Sequence, residues 1–264
     1  MRTIGDLLHE ASLRPVQGWD FSWLGERIEF VPPPWDFATM VSTLAQRSPN
    51  LLDLGTGGGE WLSALPHRPA ECVATESWPA NVALATERLA PLNVRVVAVE
   101  PAPDNATQGD GDVDHHDLPF ADRSFRLICS RHESFVASDV ARLLERGGRF
   151  VTEQVSDGHY TAFHDLMGHT QPVTPALTLE VLSTQLERAG LRIKDCQLAT
   201  TEIRFADIGA LAWYLRAVPW IIPRFTVSAF GARLSALHER ISGTGPLTIP
   251  LDTFYVVAKR PKKH

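Results

Sequence analysis

Cysteine is scarce in this sequence, and methionine and tyrosine equally so, with three of each in 264 residues. Cys72, Cys129 and Cys196 are odd in number, far apart and never in a C-x-x-C pair. That spacing excludes a disulfide framework and leads us to expect a reducing, cytoplasmic compartment. Long apolar runs are missing too. The most apolar stretch, 208–222, is broken by Arg216 and Pro219, which is too short and interrupted to span a bilayer, so no membrane partner is expected. The first residues run into Asp6 without an apolar core, so no secretory signal is expected. Excess positive charge is also lacking: the net charge is −6, and the one basic cluster is the tail Lys259, Arg260, Lys262 and Lys263. A chain of this balance is poorly suited to gripping a phosphate backbone, and no nucleic-acid partner is expected.

What is present is an ordinary globular composition, 44% apolar and 21% charged, long enough for one large domain or a core with a substantial addition. The chain is organised around Leu51, Leu52, Asp53, Leu54, Gly55, Thr56, Gly57, Gly58, Gly59 and Glu60. This reads as a buried strand, a tight glycine turn and the opening of a helix. Glycines let the backbone turn sharply and let a ligand approach it, and a helix start offers unpaired N–H groups. A dinucleotide turn requires G-x-G-x-x-G, but its third glycine position is occupied by Glu60, whose carboxylate would face a pyrophosphate.

The pattern present is D-x-G-x-G-x-G, with Asp53, Gly55, Gly57 and Gly59, and here the chain resembles the class I S-adenosylmethionine-dependent methyltransferases. A second stretch adds to the resemblance: Asp114, His115, His116 and Asp117, then Leu118, Pro119, Phe120, and later Ser124 and Phe125. Leu144 to Phe150 adds a third, a helix end with a glycine pair before a strand. The resemblance implies a doubly wound, mostly parallel seven-stranded α/β sheet and S-adenosylmethionine as cofactor. It implies that Asp53, Gly55, Thr56, Gly57, Gly59, Glu76, Ser77, Asp114, His115 and Ser130 bind that cofactor. Asp114 would take the adenine amine and the His115 N–H a ring nitrogen, with Asp117 as the alternative across a long loop. Glu76 ends the second expected strand, where an acid in a doubly wound sheet meets a ribose diol.

Taken in order, 1–36 is expected to be a helical lid ending in the triple proline, and 37–205 the cofactor-binding core. Strands are expected at 51–54, 72–76, 94–99, 126–130, 149–155, 191–205 and 253–257. The stretch 101–113 reads as a mobile loop, 156–176 as irregular, and Ser138 with Asp139 as the cap of a helix that Gly147 and Gly148 end. Residues 206–244 form a helical insert carrying Trp213, Tyr214 and Trp220, a candidate substrate cap, and 245–264 the last strand and basic tail.

Arg131, His132 and Glu133 follow the fourth expected strand at its carboxyl end, where ligands bind in open α/β sheets. His132 is the candidate general base and Glu133 the candidate orienting acid, and these two are the expected catalytic residues. No metal is expected, because adjacent His115 and His116 cannot converge on one ion and His164 and His169 do not share a helix face. The expected activity is methyl transfer to a small or medium organic acceptor that the sequence does not name. Alternatives are a non-catalytic cofactor-binding module, an RNA methyltransferase and an NAD-dependent oxidoreductase.

Overall fold

The computed structural model describes residues 2–16, 20–108, 118–169 and 176–262. The chain divides into two compact units. The larger comprises Pro34–Ser156, Pro175–Ala199 and Thr253–His264. Its helices are α2 (Phe37–Ala45), α3 (Glu60–Ala64), α4 (Pro79–Leu89), α5 (Ala137–Leu143) and α7 (Leu179–Arg188). Its strands are β2 (Asn50–Leu54), β3 (Glu71–Glu76), β4 (Val94–Ala98), β5 (Phe125–Arg131), β6 (Leu144–Val155) and parts of β7 (Arg192–Phe205) and β8 (Leu247–Lys259). They lie in the order β4-β3-β2-β5-β6-β8-β7. The β4-β3-β2-β5-β6 pairs are parallel and β8 runs antiparallel to β6.

The apolar runs form these strands because both sheet faces are covered. Side chains alternate along each strand, so Leu52, Ile128, Phe150 and Val256 pack in one cluster and Leu51, Leu127 and Val151 in another. Each of these is fully buried, and each contributes about 1.5–3 kcal/mol relative to an exposed position.

The smaller unit comprises Met1–Pro33, Asp157–Thr174 and Thr200–Asp252. It gathers α1 (Ile4–Leu13), β1 (Ile28–Phe30), α6 (Gly158–Met167), α8 (Ile208–Ala217) and α9 (Gly231–Thr244). Thr3 and Asp6 form a capping box at α1, and Asp207 caps α8 while its carboxylate pairs with Arg27 at 2.7 Å. Phe163, Phe205, Trp213 and Tyr214 are at the centre of its core, so the N-terminal segment and the 206–244 insert belong to one folding unit.

The doubly wound α/β sheet is the expected one, with eight strands among the described residues instead of seven. The additional strand, β1, pairs antiparallel with Ile203–Phe205 inside a segment expected to be wholly helical. Two other expectations change. Residues 158–167, expected to be irregular, form α6. Helix α5 is capped at Val136, puts Asp139 in its first turn beside Arg142, and ends at Leu143, so Gly147 and Gly148 fall inside β6. Residues 101–108 carry no helix or strand, as expected of a loop, and are anchored at Asn105. Asn105 is fully buried, donates to the Phe135 carbonyl at 2.8 Å and accepts the Phe135 N–H at 3.0 Å.

Candidate functional site

The strand order reverses between β2 and β5, and the crevice outside the carboxyl ends of strands at such a point is where this architecture takes ligands. A cleft of about 400 Å³ lies there, lined by the ends of β2, β3, β4 and β5. Gly55, Gly57 and Gly59 all have positive φ, +67°, +61° and +80°, a region costly for other residues. The turn is fastened to β3: the Thr56 N–H donates to the Thr75 carbonyl at 2.9 Å and the Gly57 N–H to Glu76 Oε2 at 2.6 Å. Glu76 Oε1 accepts from the Ser77 and Trp78 N–H groups, each at 2.9 Å. A carboxylate has about four acceptor positions, so about one remains for a ligand. The turn leads into α3, only five residues long, whose Glu60 pairs with Arg88.

Asp53 is 2% exposed on β2 and accepts from the Cys129 thiol at 3.2 Å. Burial pushes its pKa up to about 6, while the nearby Thr56 hydroxyl and the Cys129 thiol favour the charged form. Glu133 lies on the glycine turn itself, where a Cβ added at Gly55 would collide with its Cγ. It shares the cleft wall with Glu76. Burial and then the Glu76 charge push the Glu133 pKa up to about 7, against the Ser134 N–H that favours its anion. Among the described residues no cationic side chain pairs with it. Its main chain is anchored by Ser130 and Gln154, whose side chains donate to the Glu133 carbonyl at 3.0 and 2.9 Å.

His132 faces another way. Its φ is +58°, and its ring lies 3.5 Å from Glu153 Oε1 instead of beside Glu133. Glu153, at the end of β6, is 5% exposed at its side chain. It accepts from Arg131 Nε at 2.9 Å and from Trp35 Nε1 at 2.7 Å. Burial would raise the Glu153 pKa, but the His132 contact, Arg131 and Trp35 outweigh it and bring it to about 2. Packing around His132 lowers its pKa and Glu153 opposes that; 40% of the side chain meets solvent, which moderates the effect of burial.

The structure thus brings Gly55, Glu76, Ser77 and Glu133 to one cleft, with Asp53, Thr56 and Ser130 buried close behind. His132 is not part of the cleft lining. Asp114, His115 and Asp117 lie outside the described residues. Two contributors were not read from the sequence in this role, Thr75 and Trp35, and Glu153 was read only as a strand-end residue facing the acceptor side. Among the described residues, no group of three or more His, Cys, Asp or Glu side chains is placed to hold a metal ion, and no helix is long and apolar enough to cross a membrane.

Residues 52–152, which contain the glycine turn, Glu76 and Glu133, match the family model described as methyltransferase domain. Two solved structures share the fold. One is BH2331 of Bacillus halodurans, itself a provisionally assigned methyltransferase: it is 16% identical, the match covers 85% of this chain and 97% of that one, and the TM-score is 0.58. The other is YcgJ of Bacillus subtilis, 19% identical over 86% of this chain and 98% of that one, with a TM-score of 0.57. No curated protein matches the chain in sequence. Residues 52–152 thus carry the match to a methyltransferase domain, and the fold is the one these two structures share.

Proposed function

We propose that the protein transfers a methyl group from S-adenosylmethionine to a small or medium-sized organic acceptor. The observation that carries the donor is Glu133, a desolvated carboxyl lying on the glycine turn and facing Glu76 across the cleft without a cationic partner among the described residues. A site of this kind is matched by a ligand bearing positive charge and opposed by a pyrophosphate. When bound, S-adenosylmethionine supplies an activated methyl group on a sulfonium and carries an ammonium as well.

The chain's own residues divide the remaining work. Gly55 and Gly57 let the backbone approach the ligand. Glu76 offers its remaining acceptor position to the ribose, and Glu133 balances the positive groups. Val99, Leu118, Phe135 and Val140 give the cleft an apolar wall that excludes water from the base. Asp114, with Asp117 as alternative, is assigned to the adenine amine. Ser130 and Gln154 keep Glu133 in place. A methyl transfer to a good nucleophile needs positioning above all.

Incubation with methyl-labelled S-adenosylmethionine, a fractionated small-molecule extract and bulk tRNA tests the reading. Label is expected in the small-molecule fraction. Label in RNA alone, or no transfer with the cofactor bound, would overturn it.

A further inference from the structure

We propose that Glu153 is the positioning residue for His132, that the two form a general-base pair, and that the acceptor is therefore a protic nucleophile, an O–H or N–H group whose proton must leave. The proposal rests on the methyl-transfer reading above and extends it to the acceptor.

Three observations carry it. His132 and Glu153 are tied twice: the His132 N–H donates to the Glu153 carbonyl at 2.9 Å, and the ring nitrogen Nε2 stands 3.5 Å from Glu153 Oε1. Contacts of this length are common at catalytic pairs before substrate binds. The carboxylate is itself fixed. Trp35 Nε1 holds Oε2 at 2.7 Å, and the Trp35 ring meets Tyr255 edge-on at 5.0 Å, whose hydroxyl donates to Asp195 at 3.0 Å. Finally, His132 is one of four non-glycine residues with positive φ among those described. Such backbone is retained where the surroundings enforce it, and here it turns the ring onto Glu153 and away from Glu133.

The charges suit proton transfer. Glu153 on β6 is ionised, Arg131 on β5 shares its Oε1, and Asp36 beside α2 is the next acid in its field. A neutral imidazole with Nε2–H toward Glu153 leaves Nδ1 with the free lone pair, on a ring 40% open to solvent. The acceptor's attacking atom bonds to the methyl carbon while the carbon–sulfur bond breaks and sulfur keeps that electron pair. The acceptor's proton passes to Nδ1, and Glu153 stabilises the imidazolium that results. A tertiary amine or a thioether would need none of this. Glu133, next in sequence, lines the cofactor cleft, so the pair stands one residue from the donor's site.

The test is nitrogen-15 spectroscopy of the histidine rings in the full chain, with and without S-adenosylhomocysteine, His132→Asn assigning the signal. In the native protein His132 should hold the Nε2–H tautomer at neutral pH. In Glu153→Gln it should titrate at lower pH and lose that preference, while S-adenosylhomocysteine binds as before. Turnover on a panel of phenols, alcohols and primary amines should fall by about a hundredfold in kcat, with KM for the cofactor unchanged and partial recovery in Glu153→Asp. Should Glu153→Gln fail to fold, Glu153→Asp is measured by the same readouts against the native tautomer. Unchanged titration and tautomer in the variant, or methyl transfer confined to tertiary amines and thioethers, would overturn the pair. Loss of S-adenosylhomocysteine binding by the native protein would instead overturn the cofactor reading.

Discussion

Replacing Glu133 by glutamine should stabilise the ligand-free protein and weaken its hold on the cofactor, because the native carboxyl is held against its own charge. Burial and Glu76 push its pKa up to about 7 from the ordinary 4.5. Below the ordinary value the folded and unfolded chains are both protonated there, and the group costs nothing. As pH rises toward about 7, the unfolded chain ionises freely while the folded one stays neutral, so stability falls through that window and the full cost stands above it. The gap is worth about 3 kcal/mol at about 1.4 kcal/mol per pH unit, and solvent at the cleft mouth trims this toward about 2. Glutamine fills nearly the same volume without the charge. Urea unfolding of both proteins at pH 4 and pH 8 is the assay. Glu133→Gln should match the native protein at about pH 4 and exceed it by about 2–3 kcal/mol at about pH 8. In calorimetry near neutral pH the native protein should release up to about half a proton from Glu133 on binding S-adenosylmethionine, and the variant none from this position. A variant no more stable than the native protein at the higher pH would refute the reasoning, since Glu133 would then have a partner or solvent enough to ionise freely.

Glu76→Ala should cost about 1.5–3 kcal/mol of cofactor affinity, and it should also loosen the glycine turn, because three backbone N–H groups lose their acceptor; calorimetry and amide hydrogen exchange at Gly57 read the two effects, and unchanged values in both would return Glu76 to an ordinary strand-end acid. Gly55→Ala should destabilise by at least about 1–2 kcal/mol from its positive φ alone, and Glu133→Gly in the same chain, which removes the Cβ at 2.5 Å as well as the Cγ, should recover only the part due to collision; thermal unfolding of the single and double variants, with Glu133→Gly alone as the reference, separates them. Asp114→Asn should weaken cofactor binding more than Asp117→Asn, and the reverse order would move the adenine contact by three residues along the chain.

The core was legible because parallel strands buried on both faces appear as short apolar runs, and 51–54, 72–76 and 126–130 are such runs. The glycine turn was legible for a related reason: positive φ at Gly55, Gly57 and Gly59 demands that residue, so the constraint appears directly in the sequence. Contacts between distant segments leave no such mark. His132 and Glu133 read as partners because they are adjacent, yet successive side chains near a strand end point opposite ways, and the pairing of Arg131 with Glu153 brings in the carboxyl that His132 meets. Asn105 sits in a stretch rich in proline and aspartate that reads as loose, and its partner Phe135 is 30 residues away. Strand β1 has only three residues, too few for a period to show, and pairing with β7 is what makes it a strand. Helix α6 intersperses its apolar residues with histidine, threonine and aspartate, and only its packing in the core of the small unit reveals which face is inward.

Glu76 and Glu133 at the glycine turn suit this cleft to a cationic nucleoside and not to a dinucleotide. Isothermal titration of the full chain with S-adenosylmethionine, S-adenosylhomocysteine and NAD tests it most directly. Binding of the first two is expected in the micromolar range, roughly −8 kcal/mol, with no heat from NAD. Tight binding of NAD with silence from S-adenosylmethionine would contradict it.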